Sequence, residues 1–537
     1  MKTVFLALTL GVLFTLAGSS ATAQLKIIAD IDTSFAHGGK VEVALSAFGD
    51  EVTDFYGVFP DVQTTSKITV CGKVGTADPS LYKIGLIQLN PLGSFDASFG
   101  SGGKVITSWG VSSYPNRMFV SPIDSSIIIS GMSASSTDYR DHLASLFKFK
   151  KNGSIDSSFG GDGHVAVRFN ALFGGEFVNI YPVDTTYLAC GTVSTQSSVI
   201  GVIAMRFFRN GNLDTTYGSQ GKGFIPVYME SVNGFLSPDA SLTLIGAEVP
   251  TDSEPPIVKH IILARFKPNG MPDSGFGKNG VVKTGVVIGR NSVAAAIQPN
   301  YDIIAAYTPP EISLNVPWIV VRFNIDGSLD TLYGDKGYVT IGFGPGSSET
   351  RGVNIAKNGK ATVNGNVSYG QGSCATARIN PDGSPDITFN QIGNAVIDVD
   401  SGAYPNYLLK FVGIGNKKYC GVGGSIHNGL SQFLIAKFRD DTLPTVSVAT
   451  SDGSGEGVQI YPNPASLSFT IQTENRSISN ITLLDELGRH IQLTSEQNIS
   501  SGSQHFVFDS SKLQNGLYHC VIRSGGKQIV KDLVILH

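Results

Sequence analysis

The sequence predicts an all-β protein, a seven-bladed β-propeller followed by a small Ig-like β-sandwich. Three observations carry that expectation. A segment with an aspartate, an aromatic and a glycine at fixed offsets occurs seven times. The intervals between these segments, each about 60 residues, hold about four short apolar runs. The repetition ends near residue 441, where the composition changes.

The chain opens with MKTVFLALTLGVLFTLAGSSATAQ, one lysine followed by an apolar run from Val4 to Ala17 and then small residues. Ala21 and Ala23 precede a cut before Gln24, so residues 1–23 read as a signal peptide. The run is shorter than the ~18 apolar residues a helical span needs, and no later segment reaches that length. The expectation is an exported chain with no integral membrane span in its mature form. Net charge is −4 and only 15% of residues are charged, with no basic run. That excludes nucleic acid as a partner, which would require a concentrated positive face.

The seven segments are IDTSFAHGGKV, FDASFGSGGKV, IDSSFGGDGHV, LDTTYGSQGKG, PDSGFGKNGVV, LDTLYGDKGYV and PDITFNQIGNA. Their aspartates are Asp32, Asp96, Asp156, Asp214, Asp273, Asp330 and Asp386, spaced by 64, 60, 58, 59, 57 and 56 residues. Each has Phe or Tyr three residues on and Gly seven residues on, and six have Gly three residues before. A calcium loop would need several more oxygen ligands than the one recurring carboxylate, and a phosphate cradle would need a Lys-Ser/Thr ending and a helix. The segment therefore reads as a turn. The aspartate bonds its own backbone, the glycines take left-handed conformations, and the ring tucks between layers.

Between the turns the first repeat shows runs at 39–45, 54–60, 66–72 and 83–90, short and bounded by Gly, Pro, Asp and Ser. Such runs are strands. Seven units of four strands suit radial repetition, whereas a stacked solenoid usually has a period of about 20–45 residues. The patterns NPDGSPDITF and NGSIDSSFG with its trailing GHV resemble the delta-60 repeats of secreted bacterial proteins, over residues 25–440. The resemblance implies a propeller and brings no reaction with it. Ala36 and Asn390 replace the glycine that follows the aromatic, so the first and last repeats are expected to be looser.

Numbering the strands of a repeat one to four, antiparallel order sends connections one-to-two and three-to-four to one face. The fixed Asp turn and the short two-to-three turns form the other face, a frame. The first face differs in every unit, with loops such as SWGVSSYPN, NALFGGEF, VYMESVNG and VDSGAYPN. Variable loops on a rigid frame are where binding usually lives. Trp109, Tyr114, Phe173, Tyr228, Tyr369 and Tyr404 supply aromatic surface there and form the candidate binding face. For any one of them, covering a sheet edge is the plainer role.

No catalytic, cofactor-binding or metal site is predicted. The nine histidines are scattered, and no HExxH or GxSxG occurs. Cys71, Cys190 and Cys420 occupy one place in three repeats, in TVCG, LACG and YCG, and read as small buried hydrophobes. Cys374 and Cys520 also lie in strand-like runs, and neither CxxC spacing nor flanking His supports a metal site. Acidic pairs such as Asp252 with Glu254 leave one alternative, a carbohydrate-active or other hydrolytic enzyme with carboxylates near the propeller channel. A third possibility is a surface-layer or matrix component with no discrete ligand.

Residues 442–457, TLPTVSVATSDGSGEG, are small, polar and unrepeated, as a linker is. Residues 458–537 hold alternating apolar runs separated by DELGR and SGGKQ, a small sandwich after the propeller of 24–441. YPNPAS, LLDELGR, NGLYHCVI and GGKQIVKDLVI resemble, in order, the type A C-terminal sorting domain of the type IX secretion system of Bacteroidetes-type bacteria. The resemblance implies partnership with that machinery, folding in the periplasm and passage across the outer membrane. It further implies cleavage near the linker, with release or attachment to surface lipopolysaccharide. Together these readings describe a secreted or cell-surface protein that binds a glycan, a protein or another surface component without catalysis.

Overall fold

A computed structural model describes residues 30–439 and 458–535 apart from short stretches, those of five or more being 47–66, 137–141, 249–258, 311–315, 368–372 and 398–405. The expected signal peptide of 1–23, the expected linker of 442–457, the run at 54–60 and Asn390 lie outside the described residues. The chain divides into two compact units, Met1–Leu443 and Pro444–His537.

Among the described residues the first unit is all-β and contains seven antiparallel sheets. A representative sheet runs Ser112–Val120, Ile127–Ala134, His142–Phe149, His164–Val167 from one edge to the other. Its third strand, HLASLFKF, buries its last six residues, while its fourth, HVAV, is half-exposed, as an outer edge should be. The sheet is offset from the sequence repeat by one strand. The Asp156 turn joins the third strand to the fourth inside one sheet, and the variable one-to-two loop leads to the next sheet.

Apolar clusters join each sheet to its neighbour. Cys71 and Leu86 meet Met118 and Ile129, Leu146 meets Phe177, Cys190 meets Leu242, Ile245 meets Ala305, and Ala306 meets Val363. Ala361–Val367 then lies against Asn406–Gly415. The series returns to its start. Ile68, Val70 and Ile87 pack with Cys420, Val422 and Ile435. This is the arrangement of a β-propeller, and the chain ends close it. Lys40–Val43 is the outer strand of the sheet built from Asn406–Gly415, Lys418–His427 and Leu430–Arg439, with Lys40 opposite Ala436 and Val43 opposite Phe433.

The repeated turns are built as the sequence suggests, with a partner the motif alone does not reveal. The Asp214 carboxylate accepts from the Thr216 hydroxyl at 2.6 Å and from its backbone N–H at 3.0 Å. Its other oxygen takes a charge-assisted bond from Arg206, eight residues earlier on the preceding strand, at 2.8 Å. The same offset pairs Lys148 with Asp156, Arg265 with Asp273, Arg322 with Asp330 and Arg378 with Asp386. Each cation also lies over the ring of its own turn: Arg206 is 5.0 Å from the Tyr217 centroid, Arg265 4.0 Å from Phe276, Arg322 4.6 Å from Tyr333 and Arg378 5.0 Å from Phe389. In the second repeat Gln88 holds the cation's place, and Lys67 reaches Asp96 from the neighbouring strand.

The turns also tie each sheet to the next. The N–H after the aromatic donates to the carbonyl of the residue just before the turn glycine of the following repeat, as from Gly100 to Asn152 at 2.8 Å and from Gly334 to Asp382 at 3.0 Å. The glycine ending that turn lies under the preceding ring. A Cβ on Gly270 would lie 2.5 Å from the Tyr217 ring. Ala36 keeps this geometry rather than loosening it, with φ of 49° and its N–H donating to Leu92 at 2.7 Å.

The second unit is a β-sandwich. One sheet runs Val458–Tyr461, Ser468–Glu474, Ser503–Asp509, Ser495–Ser500, and the other runs His490–Ile491, Ile478–Asp485, Gly516–Ser524, Lys527–Ile535. Phe469, Ile471, Cys520, Ile522 and Leu533 form its core.

Two outcomes follow. Burial pushes the Asp386 carboxyl up, but hydrogen bonds from Lys360 and Thr388 and the Arg378 charge outweigh it and hold the pKa at about 2, against 3.8 unperturbed. A depressed carboxylate stabilises the fold above its unfolded pKa and ceases to as pH falls through its folded pKa. Stability measured by urea unfolding should therefore fall between about pH 4 and pH 2, and Asp386→Asn should flatten that acid limb while lowering stability at neutral pH. Ala36→Gly should raise stability by about 1 kcal/mol, because a Cβ in the left-handed region costs roughly that much; an unchanged or lower urea midpoint would contradict the strain.

Candidate functional site

The inner strands face the middle of the ring, and most of those described contain a bulge, whereas Val293–Ile297 pairs in unbroken register. Register shifts fall at Pro115/Arg117, Phe177/Asn179, Glu230/Asn233 and Thr350/Gly352. A bulge needs room on the partner strand, and the partner supplies glycine. A Cβ on Gly191 would lie 1.8 Å from the Glu176 carbonyl oxygen, and one on Gly131 or Gly365 would lie 2.1 or 2.0 Å from that of Tyr114 or Glu349. The glycine of LACG and its counterparts is therefore required by the inner strand. A bulge re-aims the residue after it, and here that residue is Arg117, Asn179 or Asn233.

Arg117 and Asn179 line a cavity of about 500 Å³ bounded by five inner strands. Its walls are Arg117–Val120, Asn179–Pro182, Gly234–Phe235, Ala295–Ile297 and Val353–Ile355. They are the latter halves of strands that start at the variable loops and end at the short turns. The cavity thus lies toward the frame end. Arg117 Nη2 stands 3.5 Å from Asn233 Oδ1, and Asn233 Nδ2 donates to the Val293 carbonyl at 2.8 Å. Burial lowers the Arg117 pKa while Tyr181 opposes the shift. Burial pushes the Tyr181 hydroxyl well above its ordinary range and the Cys190 thiol up to about 12, so both are neutral at physiological pH. The Tyr181 hydroxyl donates to the Gly234 carbonyl. All five cysteines are buried.

Three of the six aromatic candidates are described. Trp109 is half-buried against the edge of a sheet, 5.1 Å from Phe147 and 5.6 Å from His164, and its indole N–H donates to the Asp162 carbonyl at 3.3 Å. Its role is to cover that edge. Tyr114 is half-buried at the variable-loop end of its inner strand, edge-on to Tyr82 at 6.5 Å, with Lys73 Nζ 4.4 Å over its ring. Tyr228 is 42% exposed in a variable loop. Beside it, at the same end of one sheet, Glu230 pairs with Lys259, while Glu248 meets Lys283 and, at 3.3 Å, His260. Phe173, Tyr369 and Tyr404 lie outside the described residues. The structure does not gather the described three. Tyr114 and Tyr228 stand in different sheets, and Trp109 packs inward.

Sequence reasoning missed the cavity residues Arg117, Asn179 and Asn354, and Asn233 beside Arg117. Their signal was a polar residue inside an otherwise apolar second strand, as in VNIY, VNGF and VNIA. Among the described residues no group of three His, Cys, Asp or Glu side chains is placed to hold a metal ion, and no helix is long and apolar enough to cross a membrane.

Residues 459–536 match the secretion system C-terminal sorting domain, and they coincide with the sandwich. The tail is an export address. The protein is thus a client of the type IX secretion system, carried across the outer membrane to the cell surface or the medium. No curated protein matches the chain. Among solved structures it is similar to a protein of unknown function from Dyadobacter fermentans, at 8% identity and a TM-score of 0.40, over 75% of this chain and 98% of that one. It is also similar to the Pyrococcus horikoshii acylaminoacyl peptidase, at 9% identity and a TM-score of 0.34, over 79% of this chain but only 58% of the peptidase. A polysaccharide lyase, an ulvan lyase, is similar at 10% identity and a TM-score of 0.27, over 81% of this chain and 93% of that one.

Deleting residues 458–537 should leave the first unit folded and trap it in the periplasm. Cell fractionation and surface protease shaving check this, and normal surface display of the truncated chain would contradict the role of the tail.

Proposed function

We propose that this exported protein is a seven-bladed delta-60 propeller that binds a glycan, a protein or another surface component without transforming it. In this reading residues 1–23 are a signal peptide, 24–441 the propeller, 442–457 a linker and 458–537 a type A sorting sandwich. Binding runs through the variable loops, and the exposed Tyr228 ring beside two carboxylate–ammonium pairs carries the assignment. An exposed ring offers a face for the apolar side of a sugar or a peptide, and adjacent paired charges offer hydrogen bonds around it. Phe173, Tyr369 and Tyr404 belong to the same proposed surface through their place in the loops, and Tyr114 through its place at the loop end of the ring.

The hydrolase alternative requires two carboxylates converging on one substrate. The described residues lining the cavity include no Asp or Glu, so no specific observation favours that reading.

A glycan array probed with the purified chain tests the carbohydrate version directly. The expected result is selective binding that weakens about tenfold or more in Tyr228→Ala, with no glycan cleaved. A clean negative across the array would remove glycans as the ligand class, and product formation would overturn the non-catalytic assignment.

A further inference from the structure

The frame end of the ring carries apolar side chains that its turns do not use. Ile123, in a short one-to-two turn, and Leu332, in the Asp330 turn, are each 88% exposed. Leu92, Met271, Ile325 and Ile387 are exposed in other turns at the same end. Leu332 shows that the local structure does not ask for them. At its position Ser98, Ser158, Thr216 and Thr388 bond the turn's aspartate through a hydroxyl, at 2.6–2.7 Å. Leu332 offers Asp330 its backbone N–H, at 3.0 Å, and places an apolar side chain in water where a hydroxyl would bond. Ile387 stands in the neighbouring repeat, whose turn receives the Gly334 N–H at the Asp382 carbonyl.

This end is also where the chain leaves the ring. Leu430–Arg439 is a third strand, so Arg439 stands among the frame turns, opposite Asp30. Only residues 440–457 separate it from the sorting tail, which takes the protein across the outer membrane. The tail thus follows from the frame end and not from the variable loops. We propose that the frame end docks on the lipid surface of the outer membrane, its exposed Leu and Ile side chains entering the headgroup–acyl boundary, so that the variable loops face outward. One such side chain partitions weakly, but several on one rigid rim act together, and a chain held close by raises their effective concentration. Exposed Lys151, Lys267 and Lys336 are mixed with Asp326, Asp335 and Asp382 at this end, so the attraction is apolar rather than ionic. The docking does not depend on what the variable loops bind.

Flotation of the full chain with vesicles of phosphatidylethanolamine and lipopolysaccharide tests this. Recovery with the vesicles is expected at low and high salt alike. Leu332→Asp combined with Ile387→Asp should weaken it by about tenfold or more, at positions exposed enough to leave the fold intact. Val111→Asp, at the opposite end of the ring, should bind as the unaltered chain does. Leu332→Trp supplies a second readout, because its emission should shift to shorter wavelength on the vesicles while Trp109 and Trp318 are the only other indoles in the chain. The proposal is overturned by the absence of flotation, by binding that high salt abolishes or that survives the double substitution, or by an equal loss in Val111→Asp. A concentration-dependent dimer that Leu332→Asp dissolves would also overturn it, by giving the rim to a second copy of the chain.

Discussion

Five junctions in the ring rest on one contact, an aspartate bonded to a cation that also covers the aromatic ring three residues along. The carboxylate is expensive to bury alone. It is affordable here because a hydroxyl, a backbone N–H and a guanidinium or ammonium share it, as around Asp214 and Asp386. Removing only one partner of such a set strands a buried charge. The ring beneath the cation is not decoration either, because it sits on the glycine of the following repeat and spaces two sheets. Sequence periodicity and sheet-to-sheet packing are therefore one phenomenon.

The same contact explains the closure. Lys437, near the end of the last strand of the first unit, lies 4.8 Å over Phe35, and Asp32 donates its N–H to the Lys437 carbonyl at 2.8 Å. The Lys437 ammonium also reaches the Pro91 carbonyl at 2.7 Å, as Arg265 reaches Ile325 across an ordinary junction. The junction between the first and last repeats of this unit thus repeats the chemistry of the internal ones. By borrowing Lys40–Val43, the sheet of Leu430–Arg439 also gains a partner for an edge that would otherwise be open to pairing with another chain.

Against this repeated scaffold the proposed binding surface and the channel cavity are built from departures. The variable loops depart in length and composition, and they leave Tyr228 exposed beside paired charges. The inner strands depart in register, and the bulges set Arg117 and Asn179 on the cavity wall. An exported protein working outside the protection of the cell keeps its thiols buried and its repeats tied. The sorting sandwich carries its own core.

Much of this was legible in the residues. Regular recurrence of Asp32 through Asp386 gave the repeat, alternation gave the strands, and the ordered tail motifs gave the destination, because each is written in local spacing. The cation eight residues before each aspartate was also present in the sequence, but only the strand pairing shows why that offset brings Arg206 onto Asp214 and Tyr217. The packing of Trp109 was not written in local spacing: an aromatic in a variable loop can face solvent or fold back on its sheet, and its neighbours Phe147 and His164 arrive from strands far along the chain. The cavity was invisible for the same cause. A bulge shifts side-chain direction by one residue, so whether Asn179 points into core or channel depends on register with Cys190 and on the glycine beside it, which only the assembled sheet determines.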